Sequence, residues 1–184
     1  AQVLAWRERL AASLRDRLFL GLDWAEATDG GYFTARAGWD GFGSLVLWAA
    51  YAEHPALRRP TSLAEEWDND PALSRSNVPG FRSRYSHLVR NVELWLPEGF
   101  DVTFEGEDIG GRRIVMGSAP TLARQLGELN GATWKVKADE VASWERRAPP
   151  QGAPLESQAR YAFAVLSGLV ARAIEHRLPI KLDL

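Results

Sequence analysis

The sequence has no cysteine, one methionine and three histidines among its 184 residues. The absence of cysteine excludes disulfide bonds, thiolate nucleophiles and cysteine-ligated metals. The histidines, His54, His87 and His176, are far apart in the sequence, so a metal site would have to depend on carboxylates. We therefore expect neither a metal nor any other cofactor.

Motifs of several common enzyme classes are also missing. Neither the G-x-S-x-G turn of α/β-hydrolases nor the H-E-x-x-H helix of zinc proteases occurs. The stretch Gly38–Ser44 reproduces part of the phosphate-loop spacing, but it has no lysine, and Asp40 would repel an anion there. Asp68-Asn69-Asp70 begins like a calcium loop, but Pro71 follows at once. We interpret the first as a packing turn whose amides could still hold one anion, and the second as a helix end.

Long apolar runs and an excess of basic residues are absent too. No stretch approaches the length of a membrane-spanning helix, and no pattern of a secretory leader is present. The formal net charge is −2, which argues against general nucleic-acid binding. We expect a soluble, cytoplasmic protein that binds neither a membrane nor nucleic acid.

The clearest pattern that the sequence does contain is a helical one near its end. From Leu155 to Leu178, apolar residues recur at three- and four-residue intervals and so share one helical face. Pro154 suits the first turn of a helix, and Pro179 prevents its continuation. The length fits a single domain, residues 1–184, and we predict that this helix is its most buried one.

Further helices are predicted by amphipathic spacing, by capping residues and by one continuous apolar run. Pro55 should end the helix that the apolar run forms. The predicted helices are Val3–Leu18, Leu45–Ala52, Ser118–Leu129 and a short one bearing Val141 and Trp144, whereas residues 71–80 look irregular.

Alternation of apolar and polar residues predicts strands. Pro97-Glu98-Gly99 and Gly110-Gly111 separate three such segments, which we predict to form an antiparallel meander. The predicted strands are residues 92–96, 102–105 and 113–116, with short ones after the Asp29–Gly31 turn, at 134–137 and at 180–184. The fold class is therefore α+β, a small antiparallel β-meander packed with several α-helices, the long C-terminal helix central.

The segment from Pro71 to Asn91 has an uneven charge distribution. It contains four arginines and no acidic residue, and Phe81 and Tyr85 stand among the arginines. This mixture suits an anionic ligand or nucleic acid, a protein interface, or internal pairing with the acidic strands that follow. All three alternatives fit the sequence.

The candidate binding residues come mainly from this segment. We expect Arg82, Arg84 and Tyr85 to lie at least partly exposed beside the strands. The chain also has eight tryptophans, most of which should be core, and an exposed Trp39, Trp67 or Trp95 beside charge would mark an interaction surface. The full set of candidate binding residues is Arg82, Arg84, Tyr85, His87 and Trp95.

These features favour a protein-binding module over an enzyme. The hypothesis is a bacterial protein that neutralises or assists another protein, as an immunity-type partner or an accessory factor does. The alternative is a small-molecule or anion-binding enzyme that uses His87 with Arg82 and Arg84, or the Gly38–Ser44 loop. No catalytic residue can be assigned from the sequence.

Overall fold

The structure, a computed structural model, describes residues 2–14 and 32–182. Within these residues it contains seven α-helices, one 3₁₀ helix and a four-stranded mixed sheet, which confirms the α+β class. The helices are α1 (Gln2–Leu14), α2 (Trp39–Glu53), α3 (Pro71–Ser76), α4 (Ser86–Val89), α5 (Ala119–Ala132), α6 (Ala138–Glu145) and α7 (Leu155–His176), and the 3₁₀ helix is Trp67–Asn69. The strands are β1 (Val92–Leu96), β2 (Phe104–Glu107), β3 (Arg113–Ser118) and β4 (Ile180–Lys181).

Part of the segment that the sequence predicts to be irregular is helical and forms α3. Asp70 caps this helix, because its side chain accepts a hydrogen bond from the Ala72 amide at 2.7 Å. Pro71 occupies the first turn, where its missing N–H has no cost. Six residues are too few to show a helical period, so only the cap and the proline could have predicted α3.

Two of the predicted short strands are wrong. Residues 32–34 and 134–137 form no strand. In the second segment, Lys135 has a φ of 57°, which is incompatible with an extended strand, and Trp134 stacks on Trp48 instead. The predicted turn at Asp29–Gly31, and the predicted element ends at Leu18 and Leu184, lie outside the described residues.

The strands pair in the order β2-β3-β1-β4, which differs from the predicted meander. Strand β3 is antiparallel to β2 but parallel to β1, so the connection after β1 passes to the far side of β3. A meander would have placed β2 in the centre, yet β2 carries Glu105 and Glu107, whose exposure suits an edge strand. Alternation identifies strands and their faces, but it does not determine which strands pair.

Helices cover both faces of the sheet. On one face, Trp6 and Leu10 of α1 pack with Leu94 and Leu96 of β1. On the other face, Trp95 joins the larger core formed with α2, α5 and α7. The alternation along β1 therefore divides its side chains between two hydrophobic clusters.

The most buried helix is α2, which corrects the prediction made for the C-terminal helix. Every residue from Gly41 to Tyr51 is buried, whereas the last three residues of α7, 174–176, are exposed. Two glycines allow this close packing. A Cβ atom on Gly41 would lie 3.4 Å from Ala162 Cβ, and one on Gly43 would lie 2.6 Å from the Trp67 ring. The apolar run predicted a buried helix but not that other elements would surround it.

The long helix α7 has the predicted central position. It packs against α2, α5, α6 and β4. Phe163, Leu166 and Val170 are buried in the same cluster as Trp95 of β1. Helix α7 thus connects the helical part of the core to the sheet.

We expect Leu166→Ala to lower the free energy of unfolding by about 2 to 5 kcal/mol, because truncation of a buried leucine leaves a cavity. Ile174→Ala, at the exposed end of the same helix, is the matched control and should cost less than about 1 kcal/mol. Urea denaturation measures both losses. Equal losses would contradict the inward orientation of this face of α7.

Gly43→Ala should lower the free energy of unfolding by about 1 to 3 kcal/mol, because the new Cβ would overlap the buried Trp67 ring. Gly127→Ala in α5 is the control, since no atom of the described residues comes within 4 Å of its Cβ position. There alanine should stabilise by about 0.5 to 1 kcal/mol through helix propensity. The two variants should shift the urea midpoint in opposite directions, and a stabilised Gly43→Ala would show that the Trp67 ring can move away.

Candidate functional site

The structure separates the five predicted binding residues into two groups. Arg82 and Arg84 are exposed, but Tyr85, His87 and Trp95 each have 0% of their surface exposed. The expectation that Tyr85 lies partly at the surface is therefore wrong. Helix α4 and strand β1 turn these side chains into the core, where the Trp95 indole donates to the His87 carbonyl at 3.0 Å.

A carboxylate from α2 holds the segment from Pro71 to Asn91 in place. Glu53 accepts hydrogen bonds from the hydroxyls of Ser76 at 3.1 Å and Ser83 at 2.9 Å, and from the backbone amide of Arg84. This single acceptor ties α3 and the approach to α4 to the end of α2. Part of the charge asymmetry is thus internal, but its donors are hydroxyls and an amide rather than arginine side chains.

A histidine, a serine and a carboxylate meet at the same place. The imidazole Nε2 of His54 lies 3.1 Å from Ser76 Oγ, which donates to Glu53. In a hydrolase triad the serine would donate to the histidine, and the carboxylate would orient the imidazole. Ser76 is fully buried and directs its proton to the carboxylate, so this arrangement stabilises the fold.

His87 is a core residue held by its neighbours. Its amide donates to the Gln125 side chain at 2.9 Å, and Nδ1 lies 3.2 Å from the Ser86 hydroxyl. Its Nε2 atom has no hydrogen-bond partner among the described residues. Burial lowers the pKa of His87 to about 4, so the ring is neutral at pH 7. A sealed imidazole does not share a pocket with the exposed Arg82 and Arg84.

The predicted Gly38–Ser44 loop is the beginning of α2 rather than a loop. Gly38 precedes the helix with a φ of 72°, and the Phe42 amide donates to the Gly38 carbonyl at 3.0 Å. Residues 41–44 are buried, and the glycines there make room for neighbouring side chains. The stretch therefore does not form a phosphate cradle.

Of the three tryptophans Trp39, Trp67 and Trp95, only Trp39 is exposed. Half of its surface, 50%, is exposed, compared with 5% for Trp67 and 0% for Trp95. It lies at the first position of α2 and forms one wall of a cavity of about 370 Å³, which we call the Trp39 notch. Its lining residues are Trp39, Asp40, Ser62, Leu63, Ala64, Glu65, Trp67, Gln151, Gly152, Ala153 and Gln158.

The walls of the notch are fixed by the core beneath them. Trp67 is seated against Gly43 of α2, and the rings of Trp39 and Trp67 are 5.1 Å apart at 53°. On the opposite wall, the Gln158 side chain of α7 donates to the Pro150 carbonyl at 3.2 Å. These contacts make the notch a preformed concavity.

The charge of the notch is negative. Asp40 and Glu65 are exposed, and neither carboxylate has a hydrogen bond or ion pair with another described residue. Among the residues that the structure describes, no arginine or lysine lines the notch. The sequence indicated Trp39 as a conditional anchor, but it could not show that residues 62–67 and 151–158 complete the cavity around it.

Other kinds of site have no support in the described part of the chain. No group of three or more potential ligands there could hold a metal ion. No helix there is both long enough and apolar enough to cross a membrane. Comparisons of the chain with protein-family models, with curated proteins and with solved structures returned no match.

The buried His87 should make stability depend on pH. The unfolded chain protonates this histidine below its ordinary pKa of 6.5, whereas the folded chain resists protonation until about pH 4. His87 therefore lowers the free energy of unfolding only below about pH 6.5. This loss grows as the pH falls toward 4 and reaches about 3 kcal/mol in total. In His87→Gln this part of the loss should be absent from urea titrations between pH 7 and pH 4.5. His176→Gln, which is exposed, should keep the wild-type slope, and an unchanged slope in His87→Gln would contradict the assignment.

Proposed function

We propose that this protein is a protein-binding module whose partner places a basic side chain in the Trp39 notch. One observation carries the proposal, a half-exposed indole beside two carboxylates that pair with no described residue. Tryptophan is a frequent anchor at the centre of protein interfaces, because it buries a large area with few rotatable bonds.

The chemistry of the notch favours a cation. The face of an indole attracts an ammonium or guanidinium group, and the tilted rings of Trp39 and Trp67 form a corner for one. Asp40 and Glu65 add direct Coulombic attraction at the edge of this corner. An arginine or lysine of a partner would therefore be held by two kinds of interaction at once.

The extent of the surface supports a macromolecule rather than a small cation. Trp39 also borders a second cavity of about 410 Å³, which is lined by Arg36, Pro149 and Tyr161 among others. A partner that spans both cavities would bury the exposed indole between two contacts. A single small cation in the notch would leave the second cavity filled with water.

A module of this kind would act by covering a basic surface of its partner. That mode of action suits a neutralising, immunity-type protein, and it equally suits an accessory factor that recruits a basic protein. Both roles require the same contact, so one set of variants tests them together.

We expect the double variant Asp40→Asn/Glu65→Gln to raise the Kd for the partner at least ten-fold, because both counter-charges are lost while the shape is kept. The partner is first captured from the source organism on immobilised wild-type protein, and Kd is then measured with the purified pair. The matched control is Asp139→Asn/Glu140→Gln, a pair of exposed acids in the first turn of α6, which should leave Kd unchanged. Added salt should weaken the complex of the wild-type protein more than the complex of the Asp40→Asn/Glu65→Gln variant, which we call the notch variant.

Arg84→Ala separates this surface from the one that the sequence predicted. Arg84 is bound to the end of α2, about 20 Å along the helix from Trp39 at 1.5 Å per residue. If Arg84→Ala abolishes binding and the notch variant does not, the interface is centred on the arginines and the notch proposal is wrong. A partner retained equally by all variants would exclude both surfaces.

A further inference from the structure

A second concavity lies toward the other end of α2 and shares no lining residue with the Trp39 notch. It has a volume of about 640 Å³, within the range of small-molecule sites. Its walls are the second half of α2, the chain that follows α2, the residues after α5 and the first turns of α7. We call it the Arg59 groove, after the side chain that distinguishes it.

Arg59 is partly buried in this groove, and its side chain has no ion pair or hydrogen bond with another described residue. Its guanidinium carbon lies 3.6 Å from the centre of the Trp48 ring, and Trp48 stacks in turn on Trp134 with the ring centres 5.3 Å apart. Its Nε atom is buried and has no acceptor, and no carboxylate of the described residues pairs with the side chain. Burial lowers the pKa of Arg59 by more than the attraction of Glu156 raises it, so the charged form is disfavoured on balance.

The other two charged residues of the groove are ion-paired with each other, although Glu156 also attracts Arg59 from a longer distance. Arg160 donates to Glu156 at 2.6 Å, one helical turn away on α7, and its Nε is also buried without an acceptor. Tyr51 reaches the groove as well, but its hydroxyl donates to Asp70 at 3.1 Å. Two arginines and one glutamate leave the lining with one uncompensated positive charge.

We propose that the Arg59 groove binds the carboxylate of a small organic acid. The planar fork of Arg59 offers parallel N–H donors that match a carboxylate, and Trp48 holds that fork in place. The apolar body of the acid lies against Ala52, Pro55 and Leu57 on the neighbouring wall. The bound carboxylate supplies the hydrogen-bond acceptors that Arg59 lacks among the described residues.

A carboxylate fits the groove better than a phosphate for two reasons. The lining has a net charge of +1, which a monoanion neutralises, whereas a phosphate dianion would be repelled by Glu156. The apolar wall also requires an organic body that inorganic phosphate does not have. The proposal does not depend on a protein partner, because the two concavities share no residue.

Calorimetric titration with hexanoate, benzoate and 1-naphthoate tests the proposal, each acid being compared with its neutral primary amide. At least one acid should bind at least ten-fold more tightly than its amide. Arg59→Gln should weaken that acid at least ten-fold. Arg58→Gln removes the same charge from the adjacent exposed residue, which does not line the groove, and should have no effect. Glu156→Gln removes the repelling carboxylate and should tighten binding.

Several outcomes would overturn the assignment. Equal affinity for acids and amides, no heat from any acid at 10 mM (about the weakest affinity of interest for such ligands), or tighter binding of inorganic phosphate would each exclude an organic carboxylate. Unchanged binding in Arg59→Gln would place the acid elsewhere. If Arg59→Gln does not fold, Arg59→Lys keeps the charge but loses the fork. It should bind the acid several-fold more weakly than wild type, and Glu156→Gln, which changes a partly exposed side chain, still has to bind more tightly.

Discussion

The close packing of α2 against α7 is the constraint on which the rest of the structure depends. Helix α2 is buried from Gly41 to Tyr51, and the missing side chain of Gly41 lets it approach Ala162 of α7. The two charged residues of α2, Asp40 and Glu53, accordingly lie near its ends. Trp39 stands at its first position beside the notch, and Glu53 at its last position anchors the segment that leads into β1. The burial of one helix thus determines where both the notch and the segment from Pro71 to Asn91 reach the surface.

Local patterns predicted most elements, because a helix or strand is encoded over a few neighbouring residues. Ser118 accepts a hydrogen bond from the Thr121 amide at 3.1 Å and starts α5 where its capping preference predicted, and α7 begins directly after Pro154. The sheet order was not predictable in the same way, since alternation fits several pairings of the same strands. The exposed acids of β2, Glu105 and Glu107, were the available sign that β2 lies at an edge.

The candidate site was less predictable than the fold, for a physical reason. A run of arginines without acids indicates an unbalanced charge only if the segment meets no acid from elsewhere in the chain. Glu53, which lies outside the segment, is such an acid, and it binds the Ser76 and Ser83 hydroxyls. Composition likewise gives no direction to a side chain, so the buried Tyr85 and the exposed Arg84 look equally accessible in the sequence.

The two concavities have opposite charge, which a net charge of −2 for the whole chain conceals. In each of them charged side chains have no ion pair or hydrogen bond with another described residue: Asp40 and Glu65 at the notch, and Arg59 in the groove. For the partly buried Arg59 this arrangement lowers stability, because desolvation is not offset by an ion pair. A destabilising arrangement of this kind is expected at a site where a bound ligand supplies the missing partner. Since packed helices form much of the walls, a ligand would have to supply a counter-charge rather than reorganise the fold.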